Sequence, residues 1–417
     1  MQRKSYIIPR LSAMMFFQYF TLGTWFATLG YILSKNGLSS IIGTAYAIGG
    51  IAAIISPIVL GMISDRFFPS QKMLALVNIV GGILLWFLPE QIYTKNGNAF
   101  LWIMFLYMLC YNPTYSLTNN ISFHNVKDTI KAFPIIRVCG TVGFIVASTI
   151  IGILGYSGSP VALQIGSVVS VLLGLYSFTL PNTPAPAKGK ALSIRDILCL
   201  DALQLLKNRY YLVFIICTTV LFLDHATYMS FASVFLGDAG VKDVSSVMSI
   251  GQFSEVIFML LLPFFYRRLG FKWMFLVGMF AWVLRMALFA FSAPHGLVPL
   301  MYIGIALHGL CWDFFFVSGY LYTDEIADDK VKGQAQGLII MFTQGIGMFV
   351  GSYFAGKLFN NTVTNTGAAS LDQWQSFWIY PAVVATIVAV FFFFFFNYKS
   401  ISSSNDRNTD EDERLGA

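Results

Sequence analysis

The chain has 417 residues, 57% of them hydrophobic and 11% charged, with a formal net charge of +6. A soluble domain carries about 25% charged residues, so a water-soluble globular enzyme is excluded, whereas 40 Phe and 35 Gly suit helices packed closely in lipid. The basic residues fall in the connections between apolar runs and not along one helix face, so the positive charge is no nucleic-acid signal.

A membrane span takes about 20 apolar residues, and the sequence predicts twelve: residues 11–34, 41–64, 73–91, 99–123, 134–156, 160–180, 210–236, 244–266, 273–292, 297–323, 333–358 and 374–397. The first follows Arg3, Lys4 and Arg10, is too long for a signal-peptide core and has no A-x-A site after it, so no cleavable leader is expected. The longest internal polar stretch, 181–209, begins Pro181-Asn182-Thr183-Pro184-Ala185-Pro186 and carries Lys188, Lys190 and Arg195. It divides the runs six and six. The expected fold is therefore an all-α polytopic membrane protein with an N-terminal six-helix bundle (1–180), a cytoplasmic linker (181–209), a C-terminal six-helix bundle (210–398) and a disordered polar tail (399–417). With both termini and the linker inside, 20 of the 26 Lys and Arg face the cytoplasm. Only Lys35, Lys95, Lys242 and Lys357 face out, while Arg137 and Arg285 belong to helices. This bias predicts an N-in/C-in orientation.

In the first run, Trp25 lies mid-helix, where it suits either a cavity wall or packing. The second run leads into Gly61-Met62-Ile63-Ser64-Asp65-Arg66, with Lys72 shortly after. This resembles the cytoplasmic G-x-x-x-D-R loop of the major facilitator superfamily, and it makes Asp65 and Arg66 candidate gate residues, against the plainer alternative of an ordinary charged loop. The corresponding loop of the second half, Arg267-Arg268-Leu269-Gly270, keeps the bases and lacks the acid. The fourth run is unusually polar, with Tyr111, Asn112, Pro113, Thr114, Thr118, Asn119 and Asn120. Pro113 frees a carbonyl and favours a kink.

The fifth run is expected to start at Phe133-Pro134, since Pro is tolerated in the first turn. Arg137, Thr141, Phe144 and Ser148 then share one face at spacings of four, three and four. A cation, a hydroxyl and a ring so arranged suit a polar, planar substrate; alternatively Arg137, in the first turn, reaches the headgroups. The seventh run carries Asp224, His225 and Tyr228. The eighth carries Gln252 and Glu255 on one face. A charge at such depth costs about 2.5–3.5 kcal/mol, so a glutamate there is protonated or paired, and Glu255 is a candidate proton carrier. Arg285 in the ninth run and Asp313 in the tenth form either a buried ion pair or part of a polar route, with Asp313 a second proton-carrier candidate. His308 and Trp312 share a face of the tenth. No nucleophile elbow, phosphate loop, zinc spacing or dinucleotide glycine run occurs. No metal or organic cofactor is expected, and uphill work must use an ion gradient.

Phe133-Pro134-Ile135-Ile136-Arg137-Val138-Cys139-Gly140-Thr141-Val142-Gly143-Phe144 resembles the F-P-x-I-R-x-x-G-T-[IV]-G stretch of the nucleoside–proton symporters of the major facilitator superfamily. Gly251-Gln252-Phe253-Ser254-Glu255 with Pro263-Phe264-Phe265, Gly309-Leu310-Cys311-Trp312-Asp313-Phe314-Phe315 and Ala335-Gln336-Gly337 resemble three further segments of that family; Asn119 and Leu200-Asp201-Ala202 are weaker matches. The resemblance runs from about residue 11 to 398. It implies a major facilitator fold and nucleoside uptake across the bacterial inner membrane with a proton as coupling ion. Arg137, Thr141 and Phe144, with Gln252 and Glu255, would face the substrate. Relatives commonly carry amides where this chain has His225 and Tyr228, Tyr where it has His308, and Phe or Tyr where it has Trp312. All nine are candidate substrate-binding residues, and a monomer is the expected working unit. The competing expectation is a facilitator-type carrier for another small polar solute, a sugar or a drug.

Overall fold

The computed structural model describes residues 6–56, 68–185, 199–328 and 331–398. Asp65 and Arg66, the basic residues Lys188, Lys190 and Arg195 of the linker, and the tail beyond 398 lie outside the described residues. Each of the twelve predicted runs falls on helix. In chain order these are α1 (Ile7–Gly23, resumed as Leu29–Lys35), α2 (Ile42–Ser56), α3 (Ser70–Tyr93), α4 (Gly97–Asn125), α5 (Thr129–Ile153), α6 (Val161–Ser177) and α7 (Arg209–Asp238). Val244–His295 contains α8 before Gly270 and α9 after it. α10 (Val298–Ile326), α11 (Lys332–Thr362) and α12 (Leu371–Phe395) complete the set. Among the described residues eight helices are long and apolar enough to cross a membrane.

Three helices depart from the predicted runs, each for a local reason. α1 is not continuous: Trp25 leaves helical geometry at φ −138°, ψ −30°, and a 3-10 turn, Phe26–Thr28, follows. The break seats Trp25 inside the protein, edge-on to Tyr107 and Phe26 with ring centroids 5.7 Å away in each case. Trp25 therefore packs and does not line an open cavity. α5 begins four residues earlier than Phe133, because Asp128 caps it by accepting the Lys131 backbone N–H at 3.1 Å. Pro134 then stands inside the helix, and Arg137 lies two turns in rather than in the first turn. The eighth and ninth runs are separated by one residue, Gly270, at φ 65° and ψ 176°, a conformation that glycine adopts without a Cβ clash.

Within the first six helices, α1 packs on α5 and α6, α3 on α4 and α6, and α2 on α4. Within the last six, α7 packs on α11 and α12, and α9 holds α12 through ring contacts such as Phe289–Trp378 at 5.0 Å. Between the two groups α2 meets α11, α5 meets α8, and the Leu29–Lys35 end of α1 meets α7. Small residues permit these approaches: a Cβ on Gly43 would lie 2.5 Å from the Gly356 Cα, and one on Gly152 only 2.0 Å from the Ser246 hydroxyl. Among the described residues, four hydrogen bonds join the groups. Ser246 donates to the Thr149 carbonyl (3.2 Å), the Ser245 N–H to Ser157 (3.1 Å) and Asn360 to the Ser40 carbonyl (3.2 Å), while the Thr149 and Ser249 hydroxyls meet at 3.5 Å. All four lie toward one end of the molecule. At the opposite end, bonds such as Asn125 to Thr183 and Tyr398 to Glu325 stay within one group. Among the described residues, the hydrogen bonds that join the two groups thus gather at one end.

Candidate functional site

The seam between α5 and α8 is antiparallel: Thr149 meets Ser246 and Ser249, and Gly152 meets Ser246. Continuing that register for two turns brings Glu255 opposite the 141–144 turn, one turn from Arg137. The Arg137 guanidinium lies over the Tyr19 ring, 4.4 Å from its centroid, and is therefore held inside the helix packing by a cation–π contact instead of extending to the surface. Gly140 makes room for it: a Cβ there would lie 2.7 Å from Tyr19 Cδ2 and 3.3 Å from Arg137 Nη1. Asp313 on α10 is fully buried, and neither of its carboxyl oxygens has a hydrogen-bond partner in the protein.

Beside this charged seam, α7 and α10 build a wall of rings. His308 stacks on Tyr228 (5.5 Å between centroids, 23° between planes) and on Trp312 (6.3 Å, 17°). His225 lies 5.0 Å from Trp312 and 6.1 Å from His308. Gly251 lets α8 approach, since a Cβ there would be 3.0 Å from the His308 Cβ, and the Gly309 N–H donates to Ser254 at 3.1 Å. Ser254 thus pins α8 to α10, and Gln252, one turn from Glu255, keeps its carbonyl oxygen without a protein partner. The Nδ1 atoms of both histidines are likewise unpartnered. Trp312 begins a π-helical turn, Trp312–Val317, the kind of irregularity often found at functional sites.

The structure brings most of the predicted residues together and reassigns a few. Thr141 is half-buried and Phe144 buried, Phe144 against the Gly23 side of α1. Ser148, read from its spacing as part of the same face, instead donates to the Gly23 carbonyl at 2.8 Å and fastens α5 to α1. Arg285 and Asp313 form no ion pair. Arg285 Nε donates to the Gly304 carbonyl at 3.0 Å, and its guanidinium lies over the rings of Tyr228 (4.2 Å) and Trp282 (4.7 Å). Much of the polarity of α4 serves packing: Tyr111 donates to the Gln18 carbonyl at 3.1 Å, and the Thr118 hydroxyl to the Thr114 carbonyl at 2.8 Å. Tyr19 escapes the sequence reading, although the polar pair Gln18-Tyr19 in an apolar run is the signal that marks it. A cavity of about 570 Å³ at the 240–243 turn, lined by Lys242, Ser246 and Tyr302, contains none of the candidate residues.

The arrangement offers a planar aromatic face, a cation and two carboxyl groups at a seam between helix groups, with no nucleophile–base pair, which suits binding and carriage of a solute more than bond-breaking. Comparison with known proteins points the same way. The nucleoside H+ symporter family model matches residues 6–401. YegT of Escherichia coli (strain K12), whose designation as a nucleoside transporter is itself provisional, is 40% identical over 395 residues, covering 91% of this chain and 92% of YegT. The xanthosine permease of the same organism is 33% identical over 414 residues, with 94% and 96% covered. A crystal structure of the nucleoside transporter NupG superposes with a TM-score of 0.84 at 30% identity, covering 94% of this chain and all of that one. The fold is thus all-helical and of the major facilitator kind, and the protein is a transporter, not an enzyme. The resemblance in the sequence motifs is borne out across their whole extent: the chain belongs to the nucleoside H+ symporter family.

Proposed function

We propose that this protein carries nucleosides inward across the bacterial inner membrane together with protons, by alternating access, as a monomer. Its twelve helices all span the bilayer as two six-helix bundles joined by the 181–209 linker, with both termini in the cytoplasm. On that orientation the end where hydrogen bonds join the two groups faces the periplasm. The base stacks against Phe144, Tyr228 and Trp312. Gln252 and Glu255 bond ribose hydroxyls, while Arg137, Thr141, His225 and His308 read polar edges. Glu255, with Asp313 as the alternative carrier, takes up the proton that lets the loaded cavity reorient, and Asp65 and Arg66 gate the cytoplasmic end. One charge falling through 100 mV yields about 2.3 kcal/mol, which sustains a roughly fiftyfold gradient of a neutral solute moved with one proton.

The observation that supports this reading is the α5–α8 seam, where helices of opposite groups meet through Thr149, Ser246 and Ser249 and Arg137 lies 4.4 Å over the Tyr19 ring. The relatives named for nucleosides and xanthosine support the substrate class. Labelled uridine uptake into cells, competed with nucleosides, free bases, pentoses and hexoses, tests it. Nucleosides should compete and sugars should not; competition by sugars alone would overturn the assignment.

A further inference from the structure

Arg285 has no task in that scheme, yet part of its charge finds no hydrogen-bond acceptor. It is fully buried on α9. Its Nε is satisfied by Gly304, but Nη1 and Nη2 find no acceptor in the protein. Neither Asp224 nor Asp313, each with unpartnered carboxyl oxygen, forms an ion pair with it. A guanidinium stays protonated under all working conditions, so its charge is permanent. That charge is directed into the ring wall: the guanidinium lies 4.2 Å over Tyr228, Tyr228 stacks on His308, and His308 stacks on the half-buried Trp312.

We propose that Arg285 sets the chemical class of the base, favouring nucleosides whose base edge presents carbonyl or enolate oxygens over those that present exocyclic amino groups. This rests on the reading that Tyr228, His308 and Trp312 face the base. A base stacked on Trp312 lies three rings from a fixed positive charge, in an interior where screening by water is weak and the potential falls only as the inverse of distance. An oxygen-rich edge is drawn to that potential, and an amino edge is repelled. A buried charge cannot turn around, as an amide that presents donor and acceptor together can. Specificity here is a difference of affinities with a repulsive component against the wrong class.

Two matched pairs isolate the effect, because uridine and cytidine, and inosine and adenosine, each differ by one oxo-for-amino exchange. Inhibition constants of the four against labelled uridine uptake should favour the oxo member by about tenfold in the wild type, equivalent to about 1.4 kcal/mol. Arg285→Lys keeps the charge and should keep most of the preference. Arg285→Met should bring each pair to within about threefold while the melting temperature stays level or rises, since replacing an unpaired buried ion by an apolar side chain of similar length is often neutral or stabilising. A purely structural Arg285 would instead lower the melting temperature and weaken all four nucleosides alike. Equal constants in the wild type, or a preference that survives Arg285→Met, would overturn the inference while leaving nucleoside transport standing. Failure of all four to compete would overturn the transport reading itself.

Discussion

Tyr19 owes its place at the site to two residues far along the sequence, on α5. Gly140 leaves the space that its ring fills, and Arg137 lies 4.4 Å over its face. Cation–π contacts contribute about 0.5–2 kcal/mol, more when desolvated. Tyr19→Leu should therefore raise the KM for nucleoside roughly tenfold through a mispositioned Arg137, while Tyr19→Phe, which keeps the ring, should stay near the wild type. A Leu variant with unchanged KM would dismiss the clamp. Phe144→Ala should weaken apparent affinity, and an unchanged value would argue against base stacking at that position. The faces bearing Arg137, Thr141 and Phe144, and Gln252 and Glu255, were legible because helical spacing is a local property. Tyr19 and Ser148 were not, because their roles depend on contacts between α1 and α5 that no single helix reveals.

At the scale of helices, the sequence located every apolar run but misjudged where some of them start and stop. Pro134 suggested a first turn, yet the Asp128 cap starts α5 earlier, and that shift is what takes Arg137 out of reach of a surface position. Asp128→Ala should lower stability by about 1 kcal/mol and leave the KM for nucleoside unchanged, as measured by thermal unfolding in detergent and by uptake; a changed KM would mean that the cap also sets the site. The Arg267-Arg268-Leu269-Gly270 stretch reads as a loop, but one glycine in a positive-φ conformation suffices to separate α8 from α9. The glycine seam was hidden for another reason. Gly43 and Gly356 are 313 positions apart, and only the fold shows that each is small because the other is there. Gly43→Leu should hold α2 away from α11, abolish uptake and expose a cysteine introduced at Ser246 to a membrane-impermeant maleimide. Normal uptake in Gly43→Leu would show that the seam does not need to close.

For the molecule as a whole, counting runs around one polar linker leads to the proposed six-plus-six layout, and family membership followed from motifs spread along the chain. Which end carries the bonds between the groups did not follow, since it is fixed by Ser245, Ser246, Asn360 and the small residues facing them across the two helix groups. On the proposed mechanism the α5–α8 seam is where the two helix groups part or approach, with Arg137 on one side and Glu255 on the other. The most direct test is uridine uptake into proteoliposomes under an imposed inward proton gradient, with wild type and Glu255→Gln compared in both net accumulation and uridine exchange. The wild type should concentrate uridine, and the variant should exchange it without concentrating it. Accumulation by Glu255→Gln equal to the wild type, with the same dependence on pH, would contradict the role assigned to the seam.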